Sequence, residues 1–226
     1  MPSSDSLWRE SPEPTTETLA DGVMLLRAFC YEEAPAMLDG ISSMAAVSPF
    51  RQMVVPSGHT MSVAMTNCGE FGWTTDRSGY RYTTQDPETG RPWPPMPPAL
   101  ADLAERAAAA GGFSGFTPNA CLINRYSVGA RLPLHQDKNE EDYTQPIVSV
   151  SLGLPATFLL GTLRRANTPR RIRIEHGDVL VWGGPARLIY HGVAPVRAGS
   201  HPLTGPYRIN LTFRRVARPD SNPRPA

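Results

Sequence analysis

The sequence is poor in cysteine and has no long apolar run. Its three cysteines, Cys30, Cys68 and Cys121, are odd in number and form no CxxC pair, which disfavours a disulfide framework and a cysteine-bound zinc site. No stretch reaches the ~18 apolar residues of a transmembrane helix, and residues 1–20 lack the basic and apolar regions of a secretory signal. We therefore expect a cytoplasmic protein with no membrane partner.

Lysine is almost absent, and the positive charge is unevenly distributed along the chain. The 226 residues carry 22 basic and 21 acidic side chains, and Lys138 is the single lysine among the basic residues. Residues 1–110 have a net charge of −7, whereas residues 160–218 have a net charge of +9. The total of +1 alone gives no reason to expect a nucleic-acid partner.

Proline and glycine are in excess, with 24 and 19 residues respectively. This excess argues against a helical bundle and favours many short strands joined by turns. A length of 226 residues fits one domain. We predict a single domain over residues 21–216, between flexible tails at residues 1–20 and 217–226.

Helices are predicted mainly ahead of the strands. Apolar spacing predicts helices over Glu32–Val47 and Ala99–Ala110, and a strand over Gly22–Phe29. Residues 48–97 are rich in turns and prolines, so we expect no long regular element there and interpret the segment as a surface lid. Further strands are predicted at Ala120–Tyr126, Ile147–Leu152, Thr157–Leu160, Arg171–Glu175, Asp178–Trp182 and Tyr207–Arg215. The predicted fold is mainly β with flanking α, an antiparallel double-sheet barrel or jelly roll.

An H-x-D motif at His135 and Asp137 is the first chemical signal. In a strand, residues two apart point the same way, about 6.5–7 Å apart along the backbone, so both side chains can reach one metal ion. A third ligand must come from elsewhere in the chain, and the remaining histidines are His59, His176, His191 and His201. His191, 54 residues after Asp137 and shortly after a predicted strand, is the candidate we single out. Two histidines and one carboxylate leave coordination positions open, which suits non-haem Fe(II) and O2 chemistry.

The last predicted strand alternates strictly between apolar and polar residues. Its apolar face carries Ile209, Leu211 and Phe213, and its polar face carries Arg208, Asn210, Thr212 and Arg214. On the pattern alone, a half-exposed sheet with its arginines in water is the favoured interpretation. The alternative is an anionic ligand against the polar face, because the arginine fork suits the carboxylate of a dicarboxylic keto acid.

Seven segments, which include the H-x-D motif, His191 and the last predicted strand, follow one another in unbroken order between about Asp21 and Val216. They are TNCGEFGWTTDRSGY (66–80), ACLINRY (120–126), HQDK (135–138), PIVSVSLGLP (146–155), EHGDVLVWGG (175–184), YHG (190–192) and HPLTGPYRINLTFR (201–214). Together they resemble the AlkB family of 2-oxoglutarate- and Fe(II)-dependent dioxygenases. The resemblance implies a double-stranded β-helix core, a nucleotide-recognition lid at residues 48–97, and removal of alkyl groups from DNA bases.

The resemblance also implies an iron site and a co-substrate pocket. It makes His135, Asp137 and His191 the iron ligands and the catalytic centre, with O2 as a second co-substrate. It places Arg208 against the distal carboxylate of 2-oxoglutarate and Arg214 near the metal carboxylate. The rest of the implied 2-oxoglutarate pocket consists of Asn124, Tyr126, Leu132, Ile147, Ser149, Trp182 and Asn210.

The implied lid brings aromatic residues to the damaged base. Trp73 would stack on a flipped base opposite the His135 ring, and Tyr80 would contact the backbone phosphate. Asn139 stands where the family has an acid, and Pro133 replaces a hydroxyl, which bears on lesion preference and not on the reaction type. The full set of implied substrate-binding residues is Thr60, Met61, Trp73, Tyr80, Lys138, Asn139 and Arg165.

The expected activity is oxidative demethylation, by a monomer, of bases such as N1-methyladenine and N3-methylcytosine in single- or double-stranded DNA. The reaction converts 2-oxoglutarate to succinate and CO2 and releases formaldehyde. Two alternatives stay open: the same chemistry with a different main substrate, such as alkylated RNA or a small molecule, and a non-catalytic nucleic-acid-binding module. The arginines expected outside the pocket, as candidates for a DNA-facing surface, are Arg164, Arg165, Arg170, Arg171, Arg173 and Arg187.

Overall fold

The computed structural model describes residues 12–216. This part of the chain contains fourteen strands, two α-helices and a 3-10 turn at Gly184–Ala186. The helices are Ala34–Val47 (α1) and Pro98–Ala110 (α2). The strands are Thr15–Ala20 (β1), Val23–Arg27 (β2), Arg51–Val54 (β3), Thr60–Gly69 (β4), Gly72–Asp76 (β5), Gly79–Thr83 (β6), Ala120–Tyr126 (β7), Leu132–His135 (β8), Ile147–Gly153 (β9), Ala156–Leu160 (β10), Arg170–Ile174 (β11), Val179–Trp182 (β12), His191–Val193 (β13) and Arg208–Arg214 (β14). Over this range, neither helix is long and apolar enough to cross a membrane.

Two sheets and one hairpin organise the strands. Eight strands form a large sheet in the order β1-β2-β12-β9-β14-β7-β4-β3, and four form a small sheet in the order β11-β10-β13-β8. The hairpin pairs β5 with β6, and every strand pairing is antiparallel. This architecture confirms the predicted mainly β jelly roll with flanking helices.

The large sheet buries different groups on its two faces, because side chains alternate along each strand. On one face, Ile209, Leu211 and Phe213 of β14 join the apolar cluster that contains the buried residues of α1 and α2. On the other face, Trp182 of β12 shares a second cluster with Phe158 of the small sheet. The helices, the large sheet and the small sheet therefore form three layers, and the polar face of β14 lies between the sheets.

The second helix illustrates how the layers meet. It begins at Pro98, whose missing N–H is no loss in the first turn of a helix. It ends at Ala110, and the N–H of the next residue, Gly111, donates to the Ala107 carbonyl at 2.9 Å. A Cβ at Gly111 would lie 2.8 Å from a methyl carbon of Val181 on β12. The helix end can approach the sheet this closely because the residue there is glycine.

Two expectations about chain organisation are wrong. Residues 48–97 contain β4, a ten-residue strand that pairs along β7 inside the large sheet, so only the β5–β6 hairpin stands apart. Within the predicted tail at residues 1–20, β1 pairs with β2, and Glu17 forms an ion pair with Arg27 at 2.6 Å. Backbone pairing orders this mostly exposed strand, and its half-buried Leu19 packs against an apolar cluster. Residues 1–11 and 217–226, the remainder of the predicted tails, lie outside the described residues.

A pair of histidines lies beside the start of β14. The His176 Nδ1 accepts a hydrogen bond from the Gly153 N–H at 2.9 Å, and the His176 ring centroid lies 4.4 Å from that of His201. Burial, followed by the neighbouring His201, lowers the pKa of His176 to about 4. Burial also lowers the pKa of His201. Both imidazoles are therefore neutral in the folded protein at neutral pH.

We expect the free energy of unfolding to fall as the pH drops from about 6.5 to 4, because the unfolded chain, with ordinary histidine pKa values, binds more protons in this window than the folded chain. His176→Asn should flatten this dependence, since the Asn Oδ1 can accept the same hydrogen bond without titrating. Urea denaturation of both proteins at pH 7 and pH 5 measures the difference. An equally steep dependence in the variant would contradict this role of His176.

Candidate active site

Strand pairing brings His135 and His191 together. β13 pairs with β8, and His191 lies directly opposite His135 in that register. A Cβ at Gly192 would lie 2.7 Å from the Leu132 carbonyl oxygen, so glycine permits this close pairing. Asp137 follows β8, and its Oδ1 and Oδ2 lie 3.7 Å from His135 Nε2 and 3.8 Å from His191 Nε2 respectively. The ligand atoms all lie within 4.8 Å of one another, which is the spacing of one metal site.

Backbone carbonyls determine which nitrogen of each histidine faces the site. His135 Nδ1 lies 2.9 Å from the Pro133 carbonyl oxygen, and His191 Nδ1 lies 3.1 Å from that of Ile189. Since a carbonyl can only accept a hydrogen bond, each Nδ1 carries the proton and each Nε2 keeps a free lone pair. Two such imidazoles and one carboxylate fit Fe(II) with open coordination positions.

Asp137 is a shielded carboxylate that stays ionised. Arg214 on β14 donates to the Asp137 Oδ2 through Nη2 at 2.6 Å and Nε at 3.1 Å. Burial by itself would raise the pKa of Asp137, but Arg214 and then the two histidines lower it well below its usual range. Burial and then His135 lower the pKa of His191 to about 4. At neutral pH the site therefore offers one negative charge and a neutral His191, as a bound cation requires.

A cavity of about 800 Å³ opens beside these three residues. The residues with predicted site roles that line it are His135, Asp137, His191, Asn124, Tyr126, Leu132, Ser149, Trp182, Arg208, Asn210, Arg214, Thr60, Met61, Trp73, Tyr80, Lys138, Asn139 and Arg165. Ile147 is the exception, because it is fully buried in the apolar core opposite Trp182 and does not reach the cavity wall. The structure thus brings together all the predicted site residues but one.

The polar face of β14 forms part of the cavity wall, and it is buried. Arg208 is 1% exposed and Arg214 is 6% exposed. The interpretation favoured by the pattern alone, a half-exposed sheet with its arginines in water, is therefore wrong. The physical reason is the small sheet, which covers the face that a single amphipathic sheet would leave in solvent.

Arg208 is a buried cation that has no anionic partner among the described residues. Its guanidinium lies 4.7 Å from the centre of the Tyr126 ring and donates one hydrogen bond, to the Ser151 hydroxyl at 3.1 Å. Its Nε and Nη1, like the Tyr126 hydroxyl, have no hydrogen-bond partner within residues 12–216. Burial lowers the pKa of Arg208. Unsatisfied buried donors are costly. A carboxylate would accept two parallel hydrogen bonds from the Nη1 and Nη2 groups of the guanidinium, so these residues fit the distal carboxylate of 2-oxoglutarate.

Amide and hydroxyl groups line the cavity between the two arginines of β14. Asn210 donates from Nδ2 to the Ser149 hydroxyl at 2.8 Å, and Asn124 donates to the Asn210 Oδ1 at 3.2 Å. The Thr212 hydroxyl donates to the same Oδ1 at 3.1 Å. These bonds hold the polar side chains in place along the wall, so a dicarboxylate would meet preoriented groups.

An aromatic pair lies on the hairpin at the mouth of the cavity. Trp73 of β5 stacks on Tyr80 of β6 with ring centroids 5.8 Å apart and an angle of 25° between the planes. The Asn67 amide accepts the Trp73 N–H at 3.0 Å and donates to the Trp73 carbonyl at 3.1 Å. The remaining predicted substrate residues in the wall are half-buried Met61 and the exposed Thr60, Lys138, Asn139 and Arg165.

Sequence reasoning missed Phe158 and a buried ion pair. The Phe158 ring stacks on that of His191, with centroids 5.9 Å apart. Arg187, predicted as a candidate for the DNA-facing surface, is 3% exposed, and its Nη2 lies 3.0 Å from the Glu140 Oε2. That prediction is wrong, because a buried carboxylate draws the guanidinium inward. The sequence held one indication of a buried ion pair: Glu140 lies only three residues after the predicted metal ligand Asp137.

A model of the 2OG-Fe(II) oxygenase superfamily matches residues 22–214. The chain belongs to that superfamily. The oxygenase is 56% identical over 204 residues to alpha-ketoglutarate-dependent dioxygenase AlkB of Salmonella typhimurium. The matched region covers 90% of this chain and 94% of that protein. The oxygenase is 55% identical over 206 residues to the Escherichia coli protein of the same name, covering 91% and 95% respectively. A solved structure of OsALKBH1 matches with a TM-score of 0.79 and 28% identity over 89% of this chain and 100% of that one. The resemblance to the AlkB family is confirmed.

Arg208→Lys should raise the 2-oxoglutarate concentration that gives half-maximal activity by about tenfold or more. An ammonium group is a point donor and cannot reproduce the two parallel hydrogen bonds of a guanidinium fork. Titration with 2-oxoglutarate, followed by succinate formation, measures the change. Oligonucleotide binding is the control and should stay the same, and an unaltered 2-oxoglutarate requirement would refute the assignment of Arg208.

Proposed function

We propose that this oxygenase repairs alkylated nucleic-acid bases by oxidative demethylation, with N1-methyladenine and N3-methylcytosine in DNA among its substrates. One observation carries the proposal: a single cavity joins three features. They are the metal group, which consists of His135, Asp137 and His191; the buried Arg208 guanidinium, whose Nε and Nη1 lack a partner within residues 12–216; and the stacked rings of Trp73 and Tyr80 at the cavity mouth. The first two features suit Fe(II) and 2-oxoglutarate, and the aromatic pair suits the planar face of a base.

The residues around the cavity would bind and orient the reactants. His135, Asp137 and His191 would hold the metal, and Arg208 would anchor the far carboxylate of the keto acid. When bound, Fe(II), 2-oxoglutarate and O2 supply an oxidation that hydroxylates the N-methyl carbon and yields succinate and CO2. The hydroxymethyl group then leaves the base nitrogen as formaldehyde, which restores the unmodified pairing edge.

The walls of the cavity favour this chemistry by shielding His191 and Asp137 from water, since their side chains are 7% and 10% exposed. The rings of Phe158 and Trp182 lie 5.9 Å and 4.9 Å from that of His191, centroid to centroid. Electrostatic interactions are stronger in such a dry environment, so Arg214 keeps Asp137 ionised beside the reacting centre. A neutral His191 leaves its Nε2 free as a ligand.

The substrate nucleotide has to leave the helical stack, because a methyl group on a pairing nitrogen cannot be reached inside a duplex. Alkylation at that nitrogen weakens pairing and lowers the cost of flipping. We assign nucleotide recognition to the β5–β6 hairpin within residues 48–97, chiefly to Trp73 and Tyr80. Lys138 and Arg165, exposed at the cavity mouth, place positive charge where phosphates would pass.

We further propose that the enzyme acts as a monomer in the cytoplasm. One chain supplies the metal group, Arg208 and the aromatic pair, so the cavity is complete in a single copy. Cys30, Cys68 and Cys121 are free thiols, as a reducing compartment favours. RNA presents the same alkylated bases and is the second candidate substrate.

Formaldehyde release tests the proposed reaction directly. With Fe(II), 2-oxoglutarate, O2 and a DNA oligonucleotide that contains N1-methyladenine, the protein should release formaldehyde in step with succinate. Asp137→Ala should release none, because the metal group loses its carboxylate. An RNA oligonucleotide of the same sequence ranks the two nucleic acids. Release that stays at the Asp137→Ala level with both would refute the enzyme and favour a binding module.

Trp73→Ala should raise the KM for the methylated oligonucleotide by about 10–100-fold, because base stacking on an aromatic side chain contributes ~1–3 kcal/mol. Co(II) binding to the metal group should not change, and a titration followed by visible absorption checks this. Tyr207→Ala removes an exposed aromatic side chain outside the cavity wall and is the matched control. Equal KM values in the two variants would exclude Trp73 as the stacking residue.

A further inference from the structure

A polar cluster of half-buried Tyr82 and buried Glu140 and Arg187 adjoins Asp137, outside the cavity wall. The side chains of Glu140 and Arg187 are 2% and 3% exposed. Glu140 accepts a hydrogen bond from the Tyr82 hydroxyl at Oε1, over 2.6 Å, and its Oε2 lies 3.0 Å from Arg187 Nη2. An unpaired buried charge is costly, so this carboxylate depends on its partners to remain where it is.

The same cluster holds Asp137 from two directions. Arg187 donates from Nη1 to the Asp137 backbone carbonyl at 2.8 Å. Arg214 donates from Nη2 to the Asp137 Oδ2 at 2.6 Å, and its Nε lies 3.4 Å from the Glu140 Oε1. Glu140 therefore contacts both of the arginines that position the backbone and the carboxylate of this metal-facing residue.

The other end of the cluster belongs to the aromatic hairpin. Tyr82 lies on β6 directly opposite Trp73 on β5, and the hairpin forms a two-stranded sheet of its own. A continuous path of contacts therefore runs from Trp73 across one strand pair to Tyr82. From there it passes through Glu140 and its two arginines to Asp137.

We propose that Tyr82 and Glu140 are positioning residues that couple the nucleotide-binding hairpin to the metal group. The proposal rests on the proposed function, in which Trp73 stacks on the base. A base that immobilises the hairpin also immobilises the Tyr82 hydroxyl, and with it Glu140 and the orientation of Asp137. Coupling of this kind is reciprocal: substrate tightens metal binding by the same factor by which metal tightens substrate binding.

Tyr82→Phe tests the coupling, because it removes the hydroxyl and keeps the ring. Co(II) takes the place of Fe(II), and visible absorption gives its Kd in the presence of 2-oxoglutarate, with and without the N1-methyladenine DNA oligonucleotide. In the wild type, the oligonucleotide should lower the Kd for Co(II) by about tenfold, a coupling of ordinary size. We call the Kd for Co(II) without oligonucleotide, divided by the Kd with it, the coupling ratio. In Tyr82→Phe this ratio should fall to about 1–2, whereas the Kd without oligonucleotide should change by less than about threefold.

Tyr143→Phe is the matched control. The Tyr143 ring lies 5.4 Å from the Arg187 guanidinium, but its hydroxyl donates to the Lys138 backbone carbonyl, at 2.8 Å, and not to Glu140. This variant should keep the wild-type ratio. Glu140→Gln is the second test variant, and combining it with Tyr82→Phe should remove no further coupling, because both residues lie on one path.

The outcomes separate a coupling role from a structural one. A side chain that only supports the fold would weaken Co(II) binding equally with and without oligonucleotide, so an unchanged ratio in Tyr82→Phe would overturn the proposal. A ratio of 1 in the wild type would overturn it as well. Formaldehyde release by the wild type together with either result refutes the coupling alone. Absence of both release and oligonucleotide binding refutes the coupling and the proposed function together.

Discussion

The ion pair between Asp137 and Arg214 is the constraint on which the rest of the structure depends. Both groups are shielded from water between two sheets, where either alone would be strongly destabilising. Their pairing requires Arg214 to face the cavity. A slip of one residue in β14 would turn Arg214 toward the helices and Phe213 into the cavity. The buried charge and the apolar helix layer therefore specify the same strand register, and that register also places Arg208 in the wall.

Much of the fold could be predicted because its strands are short and regularly patterned. β7 has the predicted bounds, Ala120–Tyr126, and α2 differs from its prediction by one residue. β4 escaped prediction because only Thr60–Val63 alternate between polar and apolar residues, whereas Thr66, Asn67 and Cys68 farther along the strand are all buried. A strand buried on both faces carries no period of two, and its recognition depends on neighbours that are distant in sequence.

In the candidate site, too, local features could be predicted from the sequence, whereas features that depend on contacts between distant strands could not. His135 and Asp137 form a local motif. Their approach to His191 depends on the pairing of β8 with β13, two short strands that are not among the predicted ones. Ile147 has the same parity along β9 as Ser149, which lines the cavity, but it lies within the apolar cluster. The prediction for Arg187 failed in the opposite direction, because this residue was expected at the surface and is buried. An arginine buried against Glu140 and an arginine in solvent look alike in a sequence. Burial is a property of the assembled layers.

The position of β14 in the large sheet has a consequence for how the protein is made. β14 is the last strand of the described chain, yet it lies between β9 and β7 near the middle of the sheet. During translation, those two strands present unpaired edges until residue 214 has left the ribosome, and such long-range pairings form slowly. Until then Asp137 also lacks its arginine. Completion of the site is thereby tied to the emergence of β14, which carries both Arg208 and Arg214.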